Sequence, residues 1–167
     1  MLKVDSGATS WKILRVAGFS VGLAVGLSGC GTTPSSTVRA VGPTYEVSTA
    51  QEGGLGNVLV DGKGFTLYLF LPDDHSSQSR CTGICAAAWP PLTLPKAVPS
   101  PLAGPGVRSS LLGFITRSDG SRQVTYNGWP LYLYTIDMTP GQAAGQGLNN
   151  LGGLWYVITP RGTPIRS

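Results

Sequence analysis

The stretch LYLFLPD, Leu67 to Asp73, returns 64 positions later as LYLYTID, Leu131 to Asp137. Each copy carries a Tyr, an aromatic residue two positions on, and an Asp three positions beyond that. A lone β unit of this size buries little apolar area, whereas two copies can cover each other. The repetition therefore predicts one domain made of two related halves.

The residues around the motif predict a strand with two apolar faces. On an extended strand, Tyr68 and Phe70 share one face, while leucines 67, 69 and 71 share the other. A strand that is apolar on both sides is typical of one covered on both sides. Aligning Tyr68 with Tyr132 superimposes further residues of the two copies, namely Gly64 on Gly128, Phe65 on Trp129, Phe70 on Tyr134 and Asp73 on Asp137.

The aspartate of each motif, Asp73 or Asp137, comes after the strand. Pro72 favours a bend, after which the carboxylate of Asp73 caps a turn or accepts a hydrogen bond from a nearby backbone N–H. We therefore expect a structural role for the motif. The alternative is a paired acidic site formed by the two aspartates, which requires a specific separation between their carboxylates.

Turn signals place further strands around the motif. Asp-Gly at 119–120 and Asn-Gly at 127–128 lie between apolar runs and predict type I′ turns, in which both central residues have positive φ. They predict a meander of three strands, followed by LWYVITP as a fourth: Leu111 to Arg117, Arg122 to Tyr126, and Trp129 to Thr135. An equivalent earlier series reads YEVSTA, NVLV and FTLYLF, with DGKG as a turn.

Composition agrees with an all-β fold. The 167 residues include 24 glycines and 13 prolines, and only 12% are charged, which suits short strands and many turns better than a helical bundle. The fold class expected is all-β, with two related antiparallel β-meander repeats packed as one sandwich- or barrel-like domain.

The amino terminus predicts export and lipidation. Three basic residues precede the apolar run VAGFSVGLAVGLSGC, which is too short and glycine-rich for a bilayer span but suits a signal peptide. The run ends in LSGC, Leu27 to Cys30, which resembles the lipobox of bacterial lipoproteins. Acylation of Cys30 would anchor the chain in a membrane, because each buried methylene contributes about 0.8 kcal/mol. The alternative is an ordinary secretory signal with a chance cysteine.

After the signal, a polar stretch predicts a flexible tether, and the remaining charge is nearly balanced. The stretch from Gly31 to Thr44 is rich in Ser, Thr, Gly and Pro and lacks apolar periodicity. Without the signal the chain keeps nine Lys and Arg and seven Asp and Glu, so 9 − 7 gives +2. No basic cluster typical of a nucleic-acid surface remains, so we expect no nucleic-acid partner.

Several motifs together resemble a known family. The doubled Tyr-x-aromatic-x-x-Asp element, CTGICAAAWPPL after the first copy, VTYNGWPLYLY and GQGLNNLGGLWYVITPRG are similar to the bacterial secreted-repeat family of predicted lipoproteins. The resemblance covers about Asn57 to Gly162. It implies an exported, lipid-anchored repeat protein and lends no catalytic residues.

Cys81 and Cys85 are the remaining thiols. In an exported protein, an even pair this close predicts a disulfide that staples the loop leading to Trp89. The alternative is a copper or redox site, because two soft thiolates with His75 and Met138 within reach would suit Cu(I). Otherwise we expect no cofactor and no metal.

No catalytic arrangement is recognisable, so we do not expect an enzyme. His75 is the only histidine, and no G-x-S-x-G elbow accompanies it. Aromatic residues at Trp89, Tyr126 and Trp155 would either form a ligand surface or fill the core.

The sequence thus predicts a lipid-anchored binding or envelope-structural module on the extracytoplasmic side of the cell membrane or outer membrane. The membrane is its expected partner, through the lipid, and a protein or small-molecule ligand stays unidentified. The predicted organisation is a signal peptide at 1–29, Cys30 and a tether at 30–44, a first repeat at 45–92, a Pro-rich connection at 93–106, a second repeat at 107–162 and a tail at 163–167.

Overall fold

The computed structural model describes residues 42–166. This part of the chain is mostly strand and turn, which confirms the all-β expectation. Ten strands run in chain order: β1 Glu46–Glu52, β2 Gly56–Asp61, β3 Tyr68–Phe70, β4 Thr93–Leu94, β5 Leu102–Ala103, β6 Leu112–Thr116, β7 Arg122–Tyr126, β8 Trp129–Pro130, β9 Asn149–Asn150 and β10 Gly153–Val157.

Helices contribute little to the described residues. One α-helix, α1 (Ile84–Ala88), lies in the stretch predicted as a loop, and 3-10 turns occupy Leu71–Asp73 and Ser109–Leu111. Between residues 42 and 166 no helix has the length and apolar character needed to cross a membrane.

The strands form three small sheets. Their orders are β2-β1-β5, β3-β10-β9 and β4-β7-β6, with β8 paired to β7. The β1–β2 and β6–β7 hairpins correspond in the two repeats, since their turns close alike: Leu55 donates its N–H to the carbonyl of Glu52, and Gly120 donates its N–H to that of Arg117. All pairings are antiparallel except that of β1 with β5.

The two hairpin turns differ from each other. Asn127 and Gly128 have φ values of 48° and 80°, as a type I′ turn requires. The same prediction is wrong at Asp119, where only Gly120 has positive φ. The Asp119 side chain instead accepts bonds from the backbone and hydroxyl of Ser121, so a longer loop with a left-handed glycine closes the hairpin.

The last strand of each repeat crosses to the other repeat. β10, predicted as the fourth strand of the second meander, pairs with β3 of the first, and Val157 lies opposite Tyr68. The counterpart is the bridge between Pro91 and Tyr132. The predicted strand from Trp129 to Thr135 ends early at Pro130. Leu131 still donates its N–H to the carbonyl of Val124 in β7, but Tyr132 and Leu133 donate theirs to other segments.

Tyr68 and Tyr132 stand at the centre of this exchange. Each donates its backbone N–H to the carbonyl of the other, at 2.9 and 3.0 Å. The equivalent residues of the two repeats thus face each other across an approximate two-fold axis.

The motif strands separate two hydrophobic clusters. One face of β3 contributes Tyr68 and Phe70 to an aromatic cluster, and the other contributes Leu69, beside Leu67, to an aliphatic cluster, so both faces are covered. The aromatic cluster comprises Val58, Val60, Tyr68, Phe70, Cys81, Cys85, Trp89, Tyr132, Trp155 and Val157. The aliphatic cluster comprises Val47, Leu59, Leu67, Leu69, Leu92, Leu94, Val124, Tyr126, Trp129, Leu131 and Ile158.

Candidate functional site

The motif tyrosine of each repeat binds the motif aspartate of the other repeat. The Tyr68 hydroxyl donates to Oδ2 of Asp137 at 2.5 Å, and the Tyr132 hydroxyl donates to Oδ2 of Asp73, also at 2.5 Å. All four side chains are buried. Bonds from an uncharged donor to a carboxylate are short and strong, so two crossed pairs join the repeats.

The second oxygen of each carboxylate holds its own loop. Oδ1 of Asp73 accepts the backbone N–H of Arg80 at 2.7 Å, and Oδ1 of Asp137 accepts that of Ala144 at 2.9 Å. In both repeats the donor lies seven residues beyond the aspartate. Every carboxylate oxygen thus binds a tyrosine or a loop N–H, and among residues 42–166 no hydrogen bond joins the two acids.

Burial governs the ionisation of these groups. Desolvation raises the pKa of the Asp73 carboxyl, although the bonds from Tyr132 and Arg80 and the charge of Arg117 act in the opposite direction. Desolvation is also the main reason that the pKa of the Asp137 carboxyl is raised. The hydroxyl pKa of each tyrosine is also raised, first by desolvation and then by the neighbouring carboxylate.

Four aromatic rings from both repeats form a continuous stack beside these pairs. Trp155 and Trp89 are parallel at its centre, with ring centroids 3.9 Å apart. Phe70 lies on Trp155 at 4.2 Å, and Tyr134 lies on Trp89 at 4.0 Å. The stack fills the interface between the repeats, so Trp89 and Trp155 belong to the core and form no ligand surface. Tyr126 is also fully buried.

The two motif tyrosines pack edge-on against the tryptophans of this stack. The Tyr68 ring meets Trp89 edge-on at 5.3 Å, and the Tyr132 ring meets Trp155 at 5.1 Å. Such pairs contribute roughly 0.5–1.5 kcal/mol beyond the buried area.

The structure joins Cys81 and Cys85 in a disulfide at the start of α1. A copper site would need both sulfurs as free thiolates. His75 Nδ1 forms a hydrogen bond with the carbonyl of Asn127, and its ring lies 4.0 Å from that of Trp129. The described residues contain no group of three His, Cys, Asp or Glu side chains that could hold a metal ion, and copper binding stays a prediction.

A polar network surrounds the Tyr132–Asp73 pair. The Ser79 hydroxyl lies 2.6 Å from that of Tyr132 and donates to the carbonyl of Cys81. The Arg117 guanidinium joins them. It donates from Nη1 to Ser79 at 2.8 Å and to Oε1 of Gln123 at 2.6 Å, and from Nη2 to the Cys81 carbonyl at 2.7 Å.

Arg117 forms one wall of a cleft with a volume of about 310 Å³. The arginine is only 8% exposed, and its Nε is buried without a hydrogen-bond partner. The other walls of this Arg117 cleft are polar, lined by Gln78, Ser79, Thr82, Thr116 and Ser118.

Sequence reasoning missed Arg117, Ser79 and Gln123. A signal for one of them exists in the aligned repeats, because Ser79 falls on Ala143, where the copies differ in polarity. The turn position of Arg117 is held in the first hairpin by Glu52, since Leu55 donates its N–H to the Glu52 carbonyl as Gly120 does to that of Arg117.

A second cavity, of about 260 Å³, lies beside the Tyr68–Asp137 pair. Its walls are more apolar and include Phe65, Leu133 and Tyr134, with Asp61 and Lys63 among them. The carboxylate of Asp61 accepts the backbone N–H groups of Lys63 and Phe65, both at 2.9 Å, so it closes the adjacent turn. The predicted lipidation site, Cys30, falls outside the described residues.

Two matches to a family model cover the same pair of units. A search of the curated proteins found no match, and neither did a search of the solved structures. A model described as a secreted repeat of unknown function matches residues 49–93 and again residues 113–159. Each matched range contains one copy of the motif, and together the ranges span more than half of the chain. The chain is therefore a member of the family of secreted repeats of unknown function.

Proposed function

We propose that the protein is an exported, lipid-anchored binding module, held by acylated Cys30 on the extracytoplasmic side of the cell membrane or outer membrane. Its family of secreted repeats supports export, and the sequence LSGC at 27–30 supports lipidation. The polar stretch from Gly31 to Thr44 separates Cys30 from the first strand, so the domain would stand clear of the lipid headgroups.

The Arg117 cleft is the observation that carries a binding role. A scaffold role needs only the features that the two repeats share, namely the crossed Tyr–Asp pairs and the stacked rings. The Arg117 cleft is built from residues of both repeats but lies beside only the Tyr132–Asp73 pair, and its wall includes a buried guanidinium with an unused donor. A buried donor without a partner costs about 1–3 kcal/mol, and a ligand that changes the side-chain positions would satisfy it.

The interlocked fold supports this role by fixing the backbone around the cleft. The network on Arg117 includes Ser79 and Cys81 of the first repeat and Gln123 of the second. Because the pairs and the ring stack fix the repeats against each other, the backbone around the cleft is preformed and only side chains rearrange, which lowers the entropy that ligand binding costs.

Fractionation of natively exported protein tests the anchor. Mature wild-type protein should partition with membranes, and a Cys30→Ala variant should lose acylation and membrane association. Ser36→Ala, in the tether, is the matched control and should behave as wild type. Membrane association of an unacylated Cys30→Ala protein would contradict the proposed anchor.

The binding role has a separate test that needs no known ligand. The low-molecular-weight fraction of the producing organism's cell envelope should raise the melting temperature of the mature protein. It should not do so for Thr116→Trp, in which the exposed threonine at the cleft is replaced by a large ring. Thr93→Trp, on another exposed strand position, is the control. An equal or absent shift in all three proteins would contradict a ligand in the cleft and favour a structural role.

A further inference from the structure

We propose that the ligand of the Arg117 cleft carries a carboxylate, bound by the Nε and Nη2 edge of Arg117. This inference rests on the proposed binding function and adds the chemical class of the ligand. The ligand class is a small hydroxylated carboxylic acid, either free or as the acidic sugar unit of a polysaccharide.

The unused donors of Arg117 define the recognised group. A guanidinium has five N–H donors in a planar fork. Three of them have acceptors, two on Nη1 and one on Nη2. Among residues 42–166 nothing accepts from Nε, and the second Nη2 hydrogen has no acceptor there either. Nε and Nη2 form one edge of the guanidinium, and a carboxylate binds such an edge through two parallel bonds. Nε is buried, so binding requires the side chains that cover it to move aside.

The positive charge of Arg117 also favours an anionic ligand. All its hydrogen-bond acceptors are neutral, namely a hydroxyl, a side-chain amide and a carbonyl oxygen. No acidic side chain of the described region forms an ion pair with it. The charges of Asp73 and Asp119 act on it from a distance, but the Asp73 oxygens bind Tyr132 and Arg80, and Oδ1 of Asp119 accepts from Ser121. A buried cation without an ionic partner is costly, and an anionic ligand would compensate for it.

The other walls select a hydroxylated ligand over a purely apolar one. Ser79, Thr82, Thr116 and Ser118 bring hydroxyl groups, and Gln78 brings an amide. Each hydroxyl can donate and accept, which suits the hydroxyls of a sugar. A cleft of about 310 Å³ is at the small end of ligand sites, large enough for one sugar ring.

The second repeat provides an internal comparison. Where the first repeat has Ser79, the second has Ala143, and the turn position that Arg117 holds in the β6–β7 hairpin is held by Glu52 in the β1–β2 hairpin. At the second site the Tyr68 hydroxyl receives the backbone N–H of Gly145 instead. The fold therefore closes a Tyr–Asp pair without an arginine, so the loop geometry common to the repeats does not require Arg117.

Calorimetric titration of the full-length mature protein, extracted from membranes, tests the inference. The probes are glucuronate, its neutral counterpart glucose, and inorganic phosphate. Glucuronate should bind at least tenfold more tightly than glucose. Thr116→Trp should abolish the binding, and Thr93→Trp should leave it unchanged.

A second variant tests the two-bond geometry. Arg117→Lys keeps the positive charge but removes the planar edge, so glucuronate should bind about tenfold more weakly or worse. A melting curve for this variant separates lost binding from lost folding. If it unfolds, the comparison of glucuronate with glucose and the Thr116→Trp variant still decide the question.

The outcomes separate the two proposals. Equal binding of glucose and glucuronate, or of Arg117→Lys and wild type, would overturn the carboxylate while leaving a binding module. Tighter binding of phosphate than of glucuronate would also overturn it. If no probe binds but the envelope fraction still stabilises the protein through the cleft, the ligand class is wrong and the proposed function stands. If free glucuronate fails but an oligomer of it binds, the ligand is the polysaccharide form.

Discussion

Replacing Tyr132 by Phe removes one atom from the contact between the repeats. The Tyr132 hydroxyl donates to Oδ2 of Asp73 at 2.5 Å, and the aromatic ring packs on Trp155 at 5.1 Å. Phe keeps the ring and loses only the hydroxyl. Oδ2 of a buried carboxylate then has no tyrosine donor, so the free energy of unfolding should fall by about 1.5–3 kcal/mol.

The loss should be visible in thermal unfolding. For a domain of this size, 1 kcal/mol corresponds to roughly 4 °C, so Tyr132→Phe should lower the melting temperature by about 6–12 °C. Tyr68→Phe should give a similar loss because Tyr68 makes the equivalent bond to Asp137. Denaturant titration gives the free energy independently, through a shift of the midpoint at constant slope.

Tyr156→Phe is the matched control. Its hydroxyl has no hydrogen-bond partner among the described residues, and its side chain is partly exposed. It should change stability by less than about 0.5 kcal/mol. If Tyr132→Phe costs no more than Tyr156→Phe, the crossed pairs do not hold the repeats together and the reasoning fails.

Three further predictions concern packing, pH and the disulfide. A Cβ at Gly145 would lie 2.5 Å from a buried tryptophan ring, so Gly145→Ala should cost about 1–3 kcal/mol in denaturant unfolding, whereas Gly53→Ala, with open space around it, should not. Burial raises the pKa of the Asp137 carboxyl in the folded protein above its usual 3.8. The contribution of this carboxyl to the free energy of unfolding is therefore fully present below about pH 3.8 and is lost as the pH rises through the folded-state pKa. As pH rises above about 4, Asp137→Asn should therefore lose less stability than wild type in denaturant unfolding, and identical slopes of stability against pH would contradict this. Replacing Cys81 and Cys85 together by Ala should lower stability by about 2 kcal/mol at most, because the closed loop is short, and a much larger loss would contradict a local staple.

The sequence predicts the strands better than their partners. Alternation along Leu67 to Leu71 predicts two buried faces, and β3 indeed separates two clusters. The pairing of β10 with β3 was not predictable from the local pattern. Strand exchange between repeats depends on long-range contacts, and a local pattern reports only which faces are apolar.

In the candidate site, too, the sequence identifies residues but not their partners. The repeated motif identifies Tyr68 and Asp137 individually, but their bond joins positions 69 residues apart. The helix at Ile84–Ala88 was missed because five residues are too few for helical periodicity to show. Arg117 was missed because a single arginine next to a turn looks like an ordinary exposed residue, and only tertiary packing buries it.

Double-mutant cycles on the motif test most directly whether the repeats are locked by crossed pairs. The cycle between Tyr68→Phe and Asp137→Ala joins residues of different repeats, and the cycle between Tyr68→Phe and Asp73→Ala stays within one repeat. The crossed cycle should give a coupling energy of about 1 kcal/mol or more in equilibrium unfolding, and the other should give less than about 0.5 kcal/mol. Larger coupling within a repeat than between repeats would contradict the crossed arrangement.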